Sequence, residues 1–149
     1  MRIRSFNQGD FPAILDIYAK SKLDELIHED KEFVLLPLEE DEKRLAELLE
    51  SDIYVCEDNR VIGYGALFGS EIRALFVHPD CRGRGLGKLL LEYLLSLIEG
   101  QAVLYVAKTN AHAKNLYEKY RFKVADEFET AYNGVPVLTN KRACPEFCV

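Results

Sequence analysis

The sequence lacks the marks of several large classes of protein. No apolar run approaches the roughly 18 residues that a membrane-spanning helix needs, so no membrane partner is expected. Polar residues follow closely on Met1-Arg2-Ile3-Arg4-Ser5-Phe6, and no signal peptide is expected. Cysteine is sparse: Cys56, Cys81, Cys144 and Cys148 show no paired C-x-x-C spacing. Free thiols in a reducing cytoplasm are the expectation, and with them a cytoplasmic location. Histidine is scarcer still. His28, His78 and His112 lie in unrelated positions without ligand spacing, so no metal is expected. Bases are outnumbered, 19 Lys and Arg against 25 Asp and Glu, and the isoelectric point is near 5.1. A nucleic-acid partner would call for a basic face overall, so none is expected. There are no internal repeats and no low-complexity segments.

A chain of 149 residues fits one domain, 1–149, and 48% hydrophobic residues can fill a real core. Its charge is unevenly spread. Asp24 to Asp52 holds twelve acids and three bases, whereas Arg82 to Lys123 holds eight bases and three acids. The basic segment suits a phosphate-bearing ligand, and the acidic one could attract a cationic amine. For Glu39 to Glu50 a solvated helix face is the plainer reading.

The periodicities predict the elements. Arg2 to Phe6 alternates as a strand. Asp10 suits an N-cap and Pro12 a first helical turn, after which Phe11, Ile14, Leu15 and Tyr18 repeat at helical spacing. A second helical region is expected within Leu23 to Glu50, interrupted near Pro37. Ile53 to Glu57 and Val61 to Phe68 flank Asp58-Asn59-Arg60 as a hairpin. Glu71 to Val77 is the next strand, then come helix 85–99, strand 102–107 and helix 111–120. Lys123 to Thr130 and Val135 to Asn140 flank Asn133-Gly134, a second hairpin signal. The order β-α-α-β-β-β-α-β-α-β-β predicts an α/β fold: a mixed sheet with helices on both faces.

The run Arg82-Gly83-Arg84-Gly85-Leu86-Gly87 stands between a strand with its Pro79 turn and a long apolar helix. The first N–H groups of a helix have no partner within it, and its dipole adds positive charge there. Glycines let a phosphate approach those groups closely. Arg82, Arg84 and Lys88 add formal charge, and the run reads as a pyrophosphate cradle. A P-loop is excluded, because Gly87-Lys88 is followed by Leu89 and the leading glycine is replaced by Arg82. A dinucleotide loop is excluded too. Gly83, Gly85 and Gly87 are spaced G-x-G-x-G, and the next strand ends at Ala107-Lys108 rather than at an acid.

The pattern Q/R-x-x-G-x-G/A fits Arg82, Gly85 and Gly87. On this motif the chain resembles the GCN5-related N-acetyltransferases, which hold the pyrophosphate of acetyl-CoA in this way. A second block is similar to the family's N-x-x-A-x-x-F/L-Y-x-x-x-G-F run at Asn110, Ala113, Leu116, Tyr117 and Phe122. It departs at Arg121, where the family has glycine; a left-handed arginine there costs about 1 kcal/mol. The two blocks span residues 71–123, and the order of elements is also the family's. The resemblance implies a mostly antiparallel sheet of about seven strands.

The resemblance further implies acetyl-CoA as cosubstrate, with Arg82, Gly83, Arg84, Gly85, Leu86, Gly87 and Lys88 at the pyrophosphate. The main chain of Leu75, Phe76 and Val77 is expected to run beside the pantetheine arm. Asn110 matches a cofactor-contacting asparagine and also suits a helix N-cap. Asn115 could reach the same arm. Tyr117 matches the tyrosine assigned as general acid beside the thioester sulfur; its helical face with Ala113, Leu116 and Tyr120 would by itself suggest core packing, and the motif favours the acid.

Acyl transfer to an amine needs the neutral amine, so a base must take a proton, directly or through water. Glu71, at the start of a strand where several relatives place a glutamate, is one candidate, and a surface carboxylate is the bland alternative. His28, in the variable acceptor segment, is another. His78 precedes Pro79 and reads more plainly as a turn residue, and His112 as a helix-surface one. The expected activity is direct acetyl transfer to an amine of a small molecule or a protein, by a monomer or homodimer. The competing class is an acyl-CoA sensor without turnover, and a longer acyl chain is a third possibility.

Overall fold

The computed structural model describes residues 1–145. Its strands are β1 (Arg2–Ser5), β2 (Asp52–Asp58), β3 (Arg60–Phe68), β4 (Glu71–Val77), β5 (Ala102–Ala107), β6 (Lys123–Tyr132) and β7 (Val135–Cys144). Its α-helices are α1 (Phe11–Ser21), α2 (Glu42–Leu49), α3 (Leu86–Leu97) and α4 (Ala111–Lys119). The order of elements is the expected one. The acidic segment before β2 is less helical than its pattern suggested. Short 3-10 turns at Lys22–Leu26 and Leu38–Glu40 replace most of the helix on either side of Pro37. No helix among the described residues is long and apolar enough to cross a membrane.

The seven strands form one sheet in the order β1-β2-β3-β4-β5-β7-β6. Every neighbouring pair is antiparallel except β4 and β5. Side chains alternate between the two faces along each strand. On one face Tyr64, Ala66, Ala74 and Phe76 pack with Ile14, Ile17 and Tyr18 of α1 and Leu48 of α2. On the other, Leu67, Ile72, Leu75 and Leu104 pack with Leu91, Leu94 and Leu95 of α3 and Tyr117 of α4. Helix α3 lies close to β3: a Cβ on Gly65 would stand 2.8 Å from Leu94 Cδ1.

Two local expectations are corrected. Asp10 precedes α1 but makes no side-chain cap. Its carboxylate instead accepts from the Asn7 N–H and from Arg4 at 2.8 Å, closing a capping box around the Gln8–Asp10 turn. Free thiols are found at Cys56 and Cys81, both buried, whereas Cys144 is disulfide-bonded; Cys148 lies outside the described residues.

Candidate functional site

The site begins where the sheet opens. β4 and β5 pair in register only at Glu71 with Val103 and Ile72 with Leu104. Beyond Ile72 the two strands splay, so Leu75, Phe76 and Val77 keep a partner in β3 and none in β5. The cleft leads to the glycine loop. Gly83 and Gly85 hold φ of 77° and 75°, left-handed values that glycine adopts without strain. Gly85 is the N-cap of α3, and its carbonyl takes the Leu89 N–H at 3.1 Å. The three amides before it, Leu86 to Lys88, have no acceptor within the helix. A Cβ on Gly83 or Gly85 would meet nothing within 4 Å, and one on Gly87 only Val77 Cγ2 at 4.0 Å. The cradle is thus open in front of its donors, and a pyrophosphate fits it.

The cradle's arginines are engaged. Arg82 pairs with Asp24 at 2.7 Å and Arg84 with Asp58 at 3.1 Å. Lys88 is exposed on the first turn of α3. His78 is buried at the end of β4, where Nδ1 accepts from the Asp80 N–H at 3.1 Å. That makes it the cap of the Pro79–Cys81 turn entering the cradle, as its plainer reading held.

Helix α4 carries the second block. The Asn110 side chain caps it by accepting from the Ala113 N–H at 3.2 Å. Asn115 and His112 are exposed. Tyr117 is buried against the core, its ring 5.6 Å from that of Phe122 and inclined to it at 61°. The helix ends in a Schellman motif. The Phe122 N–H reaches the Tyr117 carbonyl and the Arg121 N–H the Glu118 carbonyl, each at 3.1 Å. Arg121 supplies the left-handed residue with φ of 67°, so the turn survives the loss of glycine. Burial raises the Tyr117 pKa well above its ordinary value, and the negative charge of Glu25 adds to the shift. The hydroxyl therefore stays protonated across the physiological range and can donate.

The two candidate bases fall in different places. Glu71 lies at the closed end of the cleft, 3.5 Å from Arg73, whose guanidinium also holds Glu50. His28 is exposed on the turn after Leu26. The carboxylate whose field reaches Tyr117 is Glu25, which periodicity could not single out within an acid-rich segment. Glu25 pairs with Lys22 at 2.8 Å, and Lys22 lies over the rings of Tyr18 and Tyr132.

A family model described as an acetyltransferase (GNAT) domain matches residues 50–124, which is half of the chain. The chain belongs to the GNAT family. Peptidyl-lysine N-acetyltransferase YjaB of Salmonella typhimurium is 36% identical over 84 residues, covering 56% of this chain and 57% of that protein. Its Escherichia coli counterpart is 34% identical over 84 residues, covering 56% of each. The chain thus aligns with little more than half the length of these curated relatives. Among solved structures, apo YjaB from Escherichia coli superposes with a TM-score of 0.70 at 25% identity, covering 95% of both chains. The yncA protein of Salmonella typhimurium, solved with its cofactor acetyl-CoA, gives 0.71 at 23% identity, covering 97% of this chain and 93% of that one. The second likeness speaks for the fold, a GNAT sheet of seven strands flanked by four helices.

Proposed function

We propose that residues 1–149 act as one acetyltransferase domain that moves an acetyl group from acetyl-CoA directly to an amine, and that the acceptor is a lysine side chain of a protein. The carrying observation is the open cradle at Gly83, Gly85 and Gly87, which meets Val77 at the end of the unpaired edge of β4. The peptidyl-lysine acceptor is supported by the two YjaB relatives, each aligned over 84 residues. The bound cosubstrate supplies an activated thioester carbonyl.

The chain's own groups supply the rest. Backbone donors of Gly83 to Lys88, helped by Arg82, Arg84 and Lys88, hold the pyrophosphate. Main-chain groups of Leu75, Phe76 and Val77 hold the pantetheine arm, with Asn110 and Asn115 on the facing wall. Tyr117 gives its proton to the departing thiolate. The acceptor's proton leaves through water or a carboxylate. The candidate carboxylates are Glu71, paired with Arg73, and Glu25, paired with Lys22, and His28 is the exposed alternative.

The test pairs calorimetry of acetyl-CoA binding with thiol release on lysine peptides, polyamines and aminoglycosides. Lysine-dependent thiol release with peptide acetylation supports the reading. Tight binding without turnover on any amine would replace it with the acyl-CoA sensor.

A further inference from the structure

The 3-10 turn Lys22–Leu26 bridges the cofactor cleft and an aromatic cluster. On the cofactor side, the Ser21 hydroxyl lies 3.4 Å from the carbonyl of Val77, the last residue of the splayed strand. Asp24 holds the cradle's Arg82 at 2.7 Å. On the inner side, Lys22 Nζ is 2.8 Å from Glu25 Oε1, 5.9 Å from the centre of the Tyr18 ring and 5.3 Å from that of Tyr132. Ammonium groups are attracted to ring faces within about 6 Å. The Lys22 side chain is only 15% exposed, whereas Lys20, two residues earlier, is 53% exposed. The Tyr18, Tyr64 and Tyr117 hydroxyls are all raised first by burial, and all three also feel the charge on Glu25. The Lys22–Glu25 pair thus stands on the turn that Ser21 and Asp24 tie to the end of the splayed strand and to the cradle.

We infer that Lys22 is an acceptor built into the chain, acetylated in cis from bound acetyl-CoA. The inference rests on the transfer activity proposed above. The Lys22 ammonium passes a proton to the Glu25 carboxylate, and from there to water. Its nitrogen lone pair attacks the thioester carbonyl, a C–N bond forms, the nitrogen gives up a second proton to water, and the C–S bond breaks. The sulfur leaves with the bonding pair and takes a proton from Tyr117, which recovers one from solvent. The products are an uncharged acetyl-lysine and coenzyme A. The modification removes the ammonium from Glu25 and from both rings, and so leaves that carboxylate facing the cleft without its partner. In this way a first turnover on Lys22 clears a carboxylate for the amine of an external acceptor.

The test incubates the full chain with acetyl-CoA and no acceptor, then maps acetylation by peptide mass spectrometry. A parallel sample is treated with a small amine-reactive acetylating reagent in place of acetyl-CoA. With acetyl-CoA, Lys22 should be modified at least tenfold faster than the exposed Lys20 and Lys43, at a rate independent of protein concentration. With the small reagent the order should reverse, because Lys22 is the enclosed one. Lys22→Arg keeps the charge and the Glu25 pair; it should still bind acetyl-CoA and should lose the fast site. A lysine peptide added in a third arm separates the two claims. Unmodified Lys22 with an acetylated peptide overturns this inference alone, and unmodified Lys22 with an unmodified peptide overturns the transfer reading as well. A Lys22 rate that rises with protein concentration, or one no faster than Lys20, also overturns it.

Discussion

Gly87→Val is the sharpest probe of the cradle. Gly87 is the second residue of α3, and its N–H is one of the first-turn amides without a helical acceptor. It is absent from the positive-φ glycines, so a side chain is not strained there. A Cβ would touch only Val77 Cγ2, at 4.0 Å, which is ordinary contact. The fold should therefore accept the change. Valine is a better helix former than glycine by a few tenths of a kcal/mol, so the melting temperature should hold or rise slightly. The two new methyl groups extend into the open space in front of the donors. Losing one or two charge-assisted bonds from backbone N–H to phosphate should cost about 1.5–4 kcal/mol of binding. That is a loss in acetyl-CoA affinity of about tenfold to several hundredfold. Calorimetry on the purified variant, beside a thermal melt, reads both quantities. Unchanged affinity with an intact melt would refute the cradle assignment. A collapsed melt would show instead that the glycine serves the fold.

Three further outcomes are expected. Tyr117→Phe removes only the hydroxyl and should lower kcat by roughly 10²-fold with little change in acetyl-CoA affinity; normal turnover would assign the acid elsewhere. Arg121→Gly relieves a left-handed arginine at φ 67° and should stabilise the fold by about 1 kcal/mol, read as a melting temperature a few degrees higher. An unchanged or lower midpoint would contradict that account of the helix end. The Asp10 carboxyl is held below its usual range, chiefly by hydrogen bonds from Arg4 and also by the Asn7 N–H. A depressed folded pKa adds stability that is present above the unfolded value, about 3.9, and fades as pH falls through the lower folded value. Urea midpoints should therefore put Asp10→Asn well below the parent at pH 7, with the gap narrowing as pH falls below the unfolded value, and a gap constant with pH would exclude the linkage.

The regular elements and the cradle were legible because both are local. Periodicity placed Glu71 to Val77 and the helix after Gly85, and six adjacent residues carried the phosphate chemistry. The Arg121 position was legible as a problem, and its left-handed φ shows how the chain met it. The charged contacts around the cleft were not legible. Asp24 and Arg82 are far apart in sequence and meet only because the turn after α1 folds back over the end of β4. Lys22 and Glu25 looked like any spaced pair in an acid-rich stretch until the rings of Tyr18 and Tyr132 closed around the amine. Alternation puts Glu71 and Arg73 on one strand face, but no local pattern could announce that the same arginine also holds Glu50.

The splay of β4 from β5 gives the molecule an edge on the inside. A sheet edge ordinarily lies at the rim, where its unpaired amides and carbonyls invite other chains. Here the four strands β1 to β4 and the three strands β5 to β7 meet across an isthmus of two residue pairs, and the free edge of β4 faces a slot within the fold. A slot of this kind admits a thin, extended guest that brings its own amides, and pantetheine has two. A broad peptide strand gains no such entry. The guest then serves as the missing crosslink between two half-sheets. Hydrogen exchange at those amides of residues 73–77 that point away from β3 should be fast in the free protein and slow in the presence of coenzyme A, with the isthmus at Ile72 protected in both.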